Sequence, residues 1–140
     1  MREILFRGKR TDNGEWAYGY YGLFKGRSDI YVPFTEDEEK ENEGHIFSSI
    51  GGLWHTVIPE TVGQFTGLTD KNGKKIFEGD RCRVSRPCVL AYGKITFQNG
   101  CFWFVDDGPG GMLRLCDVKM NGFEIEVIGN IHDNPDLLNK

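Results

Sequence analysis

The feature that most constrains this chain is an Asn-Gly dipeptide that occurs four times. The four copies are Asn13-Gly14, Asn72-Gly73, Asn99-Gly100 and Asn121-Gly122. Both central positions of a type I′ turn require a positive φ, which Asn tolerates and Gly adopts freely. The twist of that turn matches the twist of two paired antiparallel strands, so each dipeptide predicts a β-hairpin.

The residues beside these turns alternate as strand residues do. Aromatic side chains occupy every second position after the first turn, at Trp16, Tyr18 and Tyr20. Apolar side chains do the same after the fourth turn, at Phe123, Ile125 and Val127. A period of two places such residues on one face of a strand. Helical patterns are scarce, and the best of them, at 134–138, predicts one short C-terminal helix because Asn134 and Pro135 suit its first positions.

Composition bounds the size and the organisation of this mainly β protein. A chain of 140 residues forms one domain or two very small ones. Its 19 glycines are almost twice the average usage of roughly 7%, which indicates many tight turns. Residues 36–43 are nearly all charged and predict a solvated acidic loop. We therefore predict an N-terminal β region over 1–60 and a C-terminal β region over 61–140, and two domains or one continuous sheet system both remain open.

Charge and hydropathy indicate a compartment. No apolar run approaches the roughly 18 residues that span a bilayer. The segment from Met1 to Arg7 carries three charges in seven residues and no hydrophobic signal region, so we expect a cytoplasmic protein. The formal net charge of −4 and the pI of about 5.4 disfavour nucleic acid as a partner, because phosphate binding usually needs a basic excess.

The four cysteines could form two disulfides or a zinc site. They are Cys82, Cys88, Cys101 and Cys116. Two disulfides would require an oxidising compartment, which nothing else in the sequence indicates. A zinc site would be expected to contain a Cys-x-x-Cys pair, and the chain has none. We expect free, mostly buried cysteines and no bound metal or cofactor.

Three ordered blocks of sequence resemble the YopX family of phage and prophage proteins. The blocks are residues 2–8, 62–80 and 127–138, and the resemblance is weakest across 22–56 and 105–118. The resemblance implies a mainly β fold with an SH3-like barrel in the C-terminal part. It also implies a bacteriophage or prophage origin and residence in the bacterial cytoplasm. It implies no activity and no catalytic residues, because the family has no established function.

The central block also predicts local structure. The segment Glu78-Gly79-Asp80 forms a tight turn in which an Asp80 oxygen accepts nearby backbone N–H groups. In the following strand, alternation places Cys82 and Val84 on the core face and puts Arg81 and Arg83 on the solvent face. Family members usually carry an aliphatic residue after the aspartate, so Arg81 is a departure that leaves the facing of this strand open.

The sequence contains no catalytic signature, and three functions compete. No phosphate-binding loop, dinucleotide fingerprint or His-Glu-x-x-His motif is present, so we predict no enzyme activity. The leading hypothesis is a non-catalytic binding module whose partner is a host or phage protein, or a second copy of the chain. A metal-dependent hydrolase that would use Asp80, Asp106 and Asp107 is the third hypothesis, and the second is described in the next paragraph.

The second hypothesis is nucleic-acid binding through stacking and charge. The preferred surface lies in the C-terminal part and consists of Arg81, Arg83, Lys94 and Trp103. A second basic group lies near the N-terminus at Arg2, Arg7, Lys9 and Arg10. Tyr18 and Tyr20 lie close to that group in sequence, so each of the two groups is a candidate surface for single-stranded nucleic acid.

Overall fold

The computed structural model describes residues 3–35 and 51–133. In these residues the chain forms eleven β-strands, one short α-helix and one 3-10 turn, which confirms the prediction of a mainly β fold. The predicted acidic loop at 36–43 and the predicted helix at 134–138 lie outside the described residues. Among the described residues, no helix has the length and apolar character needed to cross a membrane.

The chain divides into two compact units, and the boundary between them in sequence lies between Gln64 and Phe65. Unit 1 contains four strands and a 3-10 turn: β1 (Phe6–Lys9), β2 (Trp16–Phe24), β3 (Arg27–Pro33), β4 (Gly52–Thr56) and Pro59–Thr61. The strands are antiparallel in the order β4-β3-β2-β1, and the first two residues of β5 (Gly63–Thr69) pair with β1. One face of this sheet buries Ala17, Ile30 and Val57. Domain limits of 1–60 and 61–140 stay a prediction.

Unit 2 contains the rest of β5 and seven further elements. They are β6 (Lys75–Phe77), β7 (Asp80–Arg86), β8 (Val89–Gln98), β9 (Cys101–Asp106), β10 (Met112–Arg114), α1 (Leu115–Met120) and β11 (Glu124–Asn130). Five of these strands form an antiparallel sheet in the order β10-β9-β8-β7-β11. Its buried face packs on α1 around Ile95, Phe104 and Leu115. The SH3-like barrel is not confirmed, because β10 and β11 are separate edges and the sheet stays open in the described residues.

The four Asn-Gly dipeptides do not all form the predicted hairpin. Asn99-Gly100 is a two-residue turn between β8 and β9 with φ angles of 51° and 78°, as type I′ requires. Asn13-Gly14 and Asn72-Gly73 lie in longer hairpin loops, where only the glycine has a positive φ. The hairpin predicted at Asn121-Gly122 is wrong, because this dipeptide ends α1 and its glycine has a φ of 81°. A left-handed glycine terminates a helix as readily as it turns a hairpin.

Two features of the fold carry no clear sequence signal. The turn between β2 and β3 is Lys25-Gly26, with φ angles of 51° and 80°, and lysine is not typical of that position. The helix α1 was also not predicted, since only a C-terminal helix was expected. It is six residues long and buries Leu115 and Val118, which is too short a pattern to show a helical period.

Candidate binding surfaces

The strand register brings the four predicted surface residues of unit 2 to one face of the sheet. Arg81 on β7 is opposite Lys94 on β8. Trp103 on β9 is opposite Thr96, two residues beyond Lys94. Since directly opposed residues share a face, Arg81, Arg83, Lys94 and Trp103 all lie on the same side. The opposite side buries Cys82 and Val84, as predicted.

Arg81 lies on the predicted side of β7 but is buried there, so its expected exposure to solvent is wrong and it is not available to an external ligand. Its side chain is only 2% exposed, and its two terminal nitrogens donate to the two carboxylate oxygens of Asp107 at 2.6 and 2.5 Å. The hydrogen bond to Asp107 raises the pKa of Arg81 further. A bidentate, charge-assisted pair of this kind offsets part of the cost of removing the guanidinium from water.

A second predicted cation is also matched by a carboxylate. A guanidinium nitrogen of Arg83 donates to Glu126 at 2.8 Å, and the ammonium of Lys71 lies 3.0 Å from the same oxygen. Hydrogen bonding from Lys71 is the main reason that the pKa of Glu126 is lowered. Trp103 uses its indole N–H internally, donating to the carbonyl of Gln98 at 2.9 Å. Both arginines of this face therefore already have carboxylate partners, which makes them weak sites for phosphate groups.

The three carboxylates considered for metal chemistry have separate structural roles. Asp80 accepts the backbone N–H of Phe77 at 2.8 Å, as its predicted turn role requires. Asp106 accepts the N–H of Gly110 at 2.8 Å, and Asp107 pairs with Arg81. Among residues 3–35 and 51–133, no three His, Cys, Asp or Glu side chains are grouped to hold a metal ion. The metal-dependent hydrolase gains no support from these residues.

The cysteines are free, but they are not mostly buried as expected. Cys82 is fully buried in the core of unit 2 and Cys101 is half-buried. Cys88 and Cys116 are exposed. The expectation fails because Cys88 lies in the turn between β7 and β8, and Cys116 lies on the outer side of α1.

Unit 1 carries a larger aromatic surface than sequence reasoning identified. Along β2, alternation places Trp16, Tyr18, Tyr20 and Phe24 on one side, as predicted for the first three. Tyr20 is opposite Tyr31 on β3, and Tyr31 is opposite Trp54 on β4. The aromatic face, as we call it below, consists of Trp16, Tyr18, Tyr20, Phe24, Tyr31 and Trp54.

The rings of the aromatic face contact one another and remain open to solvent. Ring centroids are 6.4 Å apart for Tyr20–Tyr31, 5.2 Å for Tyr31–Trp54 and 5.4 Å for Phe24–Trp54, the last edge-on. Tyr20 is 55% exposed, Phe24 51% and Trp54 48%. Such pairs add about 0.5–1.5 kcal/mol beyond their buried area, so the rings hold each other in place.

A glycine allows two of these rings to converge. A Cβ atom added to Gly22 would lie 2.8 Å from the Phe24 ring and 2.9 Å from the Trp54 ring. Both rings therefore lean over the strand at the position where β2 has no side chain. The result is a nearly continuous platform across β2, β3 and β4.

Positive charge lies on the same side of the sheet. Arg7 and Lys9 on β1 are opposite Tyr18 and Trp16, and their charged groups lie 4.6 and 5.9 Å from the centre of the Trp16 ring. At the other end, Arg27 is opposite Phe24 and pairs with the buried Asp29 at 3.0 Å. Of the second basic group named from sequence, Lys9 and the buried Arg7 adjoin the aromatic face. Arg10 pairs with Asp12, and Arg2 lies outside the described residues.

The fold and these surfaces define a class, and comparison with known proteins gives the family. Two antiparallel sheets in two compact units, with one short α-helix in the described residues, form a mainly β protein. The chain belongs to the YopX family, described as "YopX protein", which matches residues 5–139. The resemblance of the three sequence blocks is thereby confirmed.

A solved structure shares this fold. The crystal structure of protein EF1440 from Enterococcus faecalis matches with a TM-score of 0.56 at 22% sequence identity, over 99% of each chain. At that identity the likeness concerns the fold alone. No curated protein matches this chain.

Proposed function

We propose that this chain is a non-catalytic binding module and that the aromatic face of unit 1 is its binding surface. The observation that carries the proposal is the exposure of Tyr20, Phe24 and Trp54, each by about half, on one continuous sheet face. A large aromatic ring removes much apolar area from water when it is covered, so a ligand gains binding free energy from each ring. Contiguous exposed apolar patches mark interaction sites in soluble proteins.

Single-stranded nucleic acid is the ligand that fits this face best. Every base has a flat π surface that stacks on an aromatic side chain, and stacking is worth about 1–3 kcal/mol per base. Lys9 supplies positive charge beside the Trp16 ring, whereas Arg7 is only 4% exposed and Arg27 is already paired with Asp29. Stacking on the rings must therefore supply most of the binding free energy. The face of unit 2 that was preferred from sequence is a weaker candidate, because Asp107 and Glu126 already neutralise its two arginines.

The charge of the whole chain sets the expected strength of binding. With a net charge of −4, long-range attraction of a polyanion is weak, so the few local cations must supply it. Affinity should then depend only weakly on salt, because few phosphates are neutralised and few condensed counterions are released. One phosphate contact at Lys9 corresponds to a loss of about threefold in affinity between about 50 and about 200 mM salt.

Removing exposed rings should weaken binding without unfolding the protein. We expect Tyr20→Ala and Trp54→Ala each to raise the Kd for a fluorescein-labelled oligothymidylate of about 16 nucleotides by about tenfold. Both side chains are about half exposed, so truncation costs little core packing. Fluorescence anisotropy at low salt measures the affinity, and circular dichroism verifies the fold of each variant.

Tyr92→Ala is the matched control, since Tyr92 is a 42% exposed tyrosine on a strand of unit 2. It should leave the Kd unchanged. No binding at low salt would overturn nucleic acid as the ligand, and equal weakening by all three variants would overturn the aromatic face as its binding site. A dimer in sedimentation that Tyr20→Ala dissociates would then assign the same surface to a second copy. Absence of both binding and self-association would overturn the binding surface itself.

Further parts of this proposal rest on sequence and on the family resemblance. They are a bacteriophage or prophage origin, a location in the bacterial cytoplasm and the lack of catalytic activity. The relation of unit 2 to SH3-like barrels belongs here too, supported by its five-stranded antiparallel sheet.

A further inference from the structure

A buried carboxylate lies among the rings of the aromatic face. Asp29 on β3 is opposite Gly22 on β2. It is two residues from Tyr31 along the strand, so its side chain lies on the same side of the sheet as that ring. The rings of Phe24 and Trp54 lean over the neighbouring Gly22, and Asp29 is only 2% exposed.

Arg27 is the group that compensates this buried charge. Its Nε and Nη2 atoms donate to the same Asp29 oxygen, Oδ2, at 3.1 and 3.0 Å. The other oxygen, Oδ1, is buried and has no hydrogen-bond partner among the described residues. Breaking such a pair is costly, because it leaves an unmatched charge in the protein interior. Arg27 is therefore held in one orientation, although its side chain is 62% exposed.

This orientation leaves one edge of the guanidinium open. A guanidinium is planar and rigid, and it carries N–H donors along two edges. Asp29 occupies the edge formed by Nε and Nη2. The end-on edge, formed by Nη1 and the second hydrogen of Nη2, points two parallel donors away from that carboxylate. Because the ion pair carries no net charge, these donors suit two adjacent neutral acceptors better than they suit a phosphate group.

We propose that Arg27 recognises guanine in the single strand that binds the aromatic face, an inference that rests on the proposed function. Guanine presents O6 and N7 as adjacent acceptors, and a bidentate contact from arginine is its commonest specific recognition. Phe24 is directly opposite Arg27, and its ring is 51% exposed. Opposed side chains of paired strands begin about 4.5–5.5 Å apart, so a guanine stacked on this ring can turn O6 and N7 to the open donors.

The other bases do not match the open edge of Arg27. Adenine keeps N7 but has an amino donor in place of O6, and cytosine also presents an amino donor. Thymine offers a single acceptor beside its methyl group. We therefore expect a strand with isolated guanines to bind about tenfold more tightly than the matching strand with isolated adenines.

Fluorescence anisotropy at low salt tests this preference with labelled strands of equal length. Isolated thymines of an oligothymidylate of about 16 nucleotides are replaced by guanine, hypoxanthine, adenine or 7-deazaguanine. Hypoxanthine keeps O6 and N7, so it should bind as tightly as guanine. Adenine and 7-deazaguanine stack as purines but lack one of the two acceptors, so they should bind about tenfold more weakly.

Two outcomes separate this inference from the proposed function. Equal Kd values for the guanine and 7-deazaguanine strands, with oligothymidylate also bound, would overturn guanine recognition and leave the aromatic face as a binding surface. No binding of any strand would overturn both.

An Arg27→Lys variant separates the two-donor contact from charge. Lysine keeps the positive charge but lacks the planar fork, so the Kd ratio of the 7-deazaguanine strand to the guanine strand should fall from about ten to about one. Arg10→Lys is the matched control, because Arg10 also pairs with an aspartate two residues along the chain, the exposed Asp12. Its ratio should stay about tenfold. A ratio that survives in Arg27→Lys, or that falls equally in both variants, would assign the preference elsewhere.

Asp29 is a positioning residue, since it acts through Arg27. In an Asp29→Asn variant the guanidinium loses its countercharge and is free to turn toward phosphate groups. We expect the preference for guanine to fall and the salt dependence of oligothymidylate binding to steepen by about one phosphate contact. Circular dichroism verifies the fold of this variant. A preserved guanine preference, or an unchanged salt dependence, would contradict the role of Asp29 in orienting Arg27.

Discussion

Replacing Asp70 with alanine is expected to lower the free energy of unfolding of unit 2 by about 3 kcal/mol. One oxygen of this buried carboxylate accepts the backbone N–H groups of Asn72 and Lys74, both at 2.9 Å. The other oxygen accepts the N–H of Val127 at 3.0 Å. Asp70 therefore closes the loop between β5 and β6 and also attaches it to β11. Alanine would remove the acceptor of three N–H groups at once.

Urea denaturation can report on unit 2 separately. The chain has three tryptophans, and Trp103 is the one in unit 2. In a Trp16→Phe, Trp54→Phe background, Trp103 fluorescence follows this unit alone. Asp12→Ala is the matched control, because Asp12 is an exposed loop aspartate bonded to Arg10, and it should change little. An unchanged midpoint for Asp70→Ala would show that these hydrogen bonds do not support unit 2.

Asp70 also predicts how the stability of unit 2 changes with pH. Burial raises the pKa of this carboxyl, but the N–H groups of Val127, Lys74 and Asn72, with the charge of Lys74, outweigh it and lower the pKa below the ordinary 3.8. A lowered folded-state pKa means that the contribution is complete above the unfolded value and is lost as the pH falls through the folded value. The stability of unit 2 should therefore fall below about pH 4, less steeply in Asp70→Asn than in the parent.

Asp107→Asn should destabilise unit 2 by about 3 kcal/mol, because it leaves the buried Arg81 guanidinium without its countercharge. An Arg81→Met, Asp107→Leu double variant should recover most of this loss, since apolar replacement removes the unmatched charge. The matched comparison is Glu126→Gln in the half-exposed pair with Arg83, where solvent screening makes the loss much smaller. Trp103 fluorescence gives the urea midpoint of each variant. Equal losses of stability in the two pairs would contradict this account.

Short-range patterns predicted those parts of the fold that depend on neighbouring residues. Asn99-Gly100 turns β8 into β9 because both φ angles suit those residue types. The same dipeptide at Asn121-Gly122 ends a helix, since what precedes it is the six-residue α1 rather than a strand. Alternation placed Cys82 and Val84 in the core, but it could not reveal that Asp107, 26 positions away, accompanies Arg81 into a buried site.

The candidate surface depends on contacts that local patterns do not encode. Trp16, Tyr18 and Tyr20 follow from alternation along one strand. Tyr31 and Trp54 join them only through the registers of β3 with β2 and of β4 with β3. No feature of the intervening sequence fixes those registers, so the full extent of the aromatic face could be seen only in the structure.

The order of strands in the sheet of unit 2 has a consequence for folding kinetics. The strands β7 to β10 follow one another through short connections, whereas β11 returns across the whole meander to pair with β7. Closing that long loop costs entropy before any pairing offsets it, so we expect β11 to dock last. The bond between Asp70 and Val127 would then form after the transition state. In that case Asp70→Ala accelerates unfolding and leaves the folding rate almost unchanged.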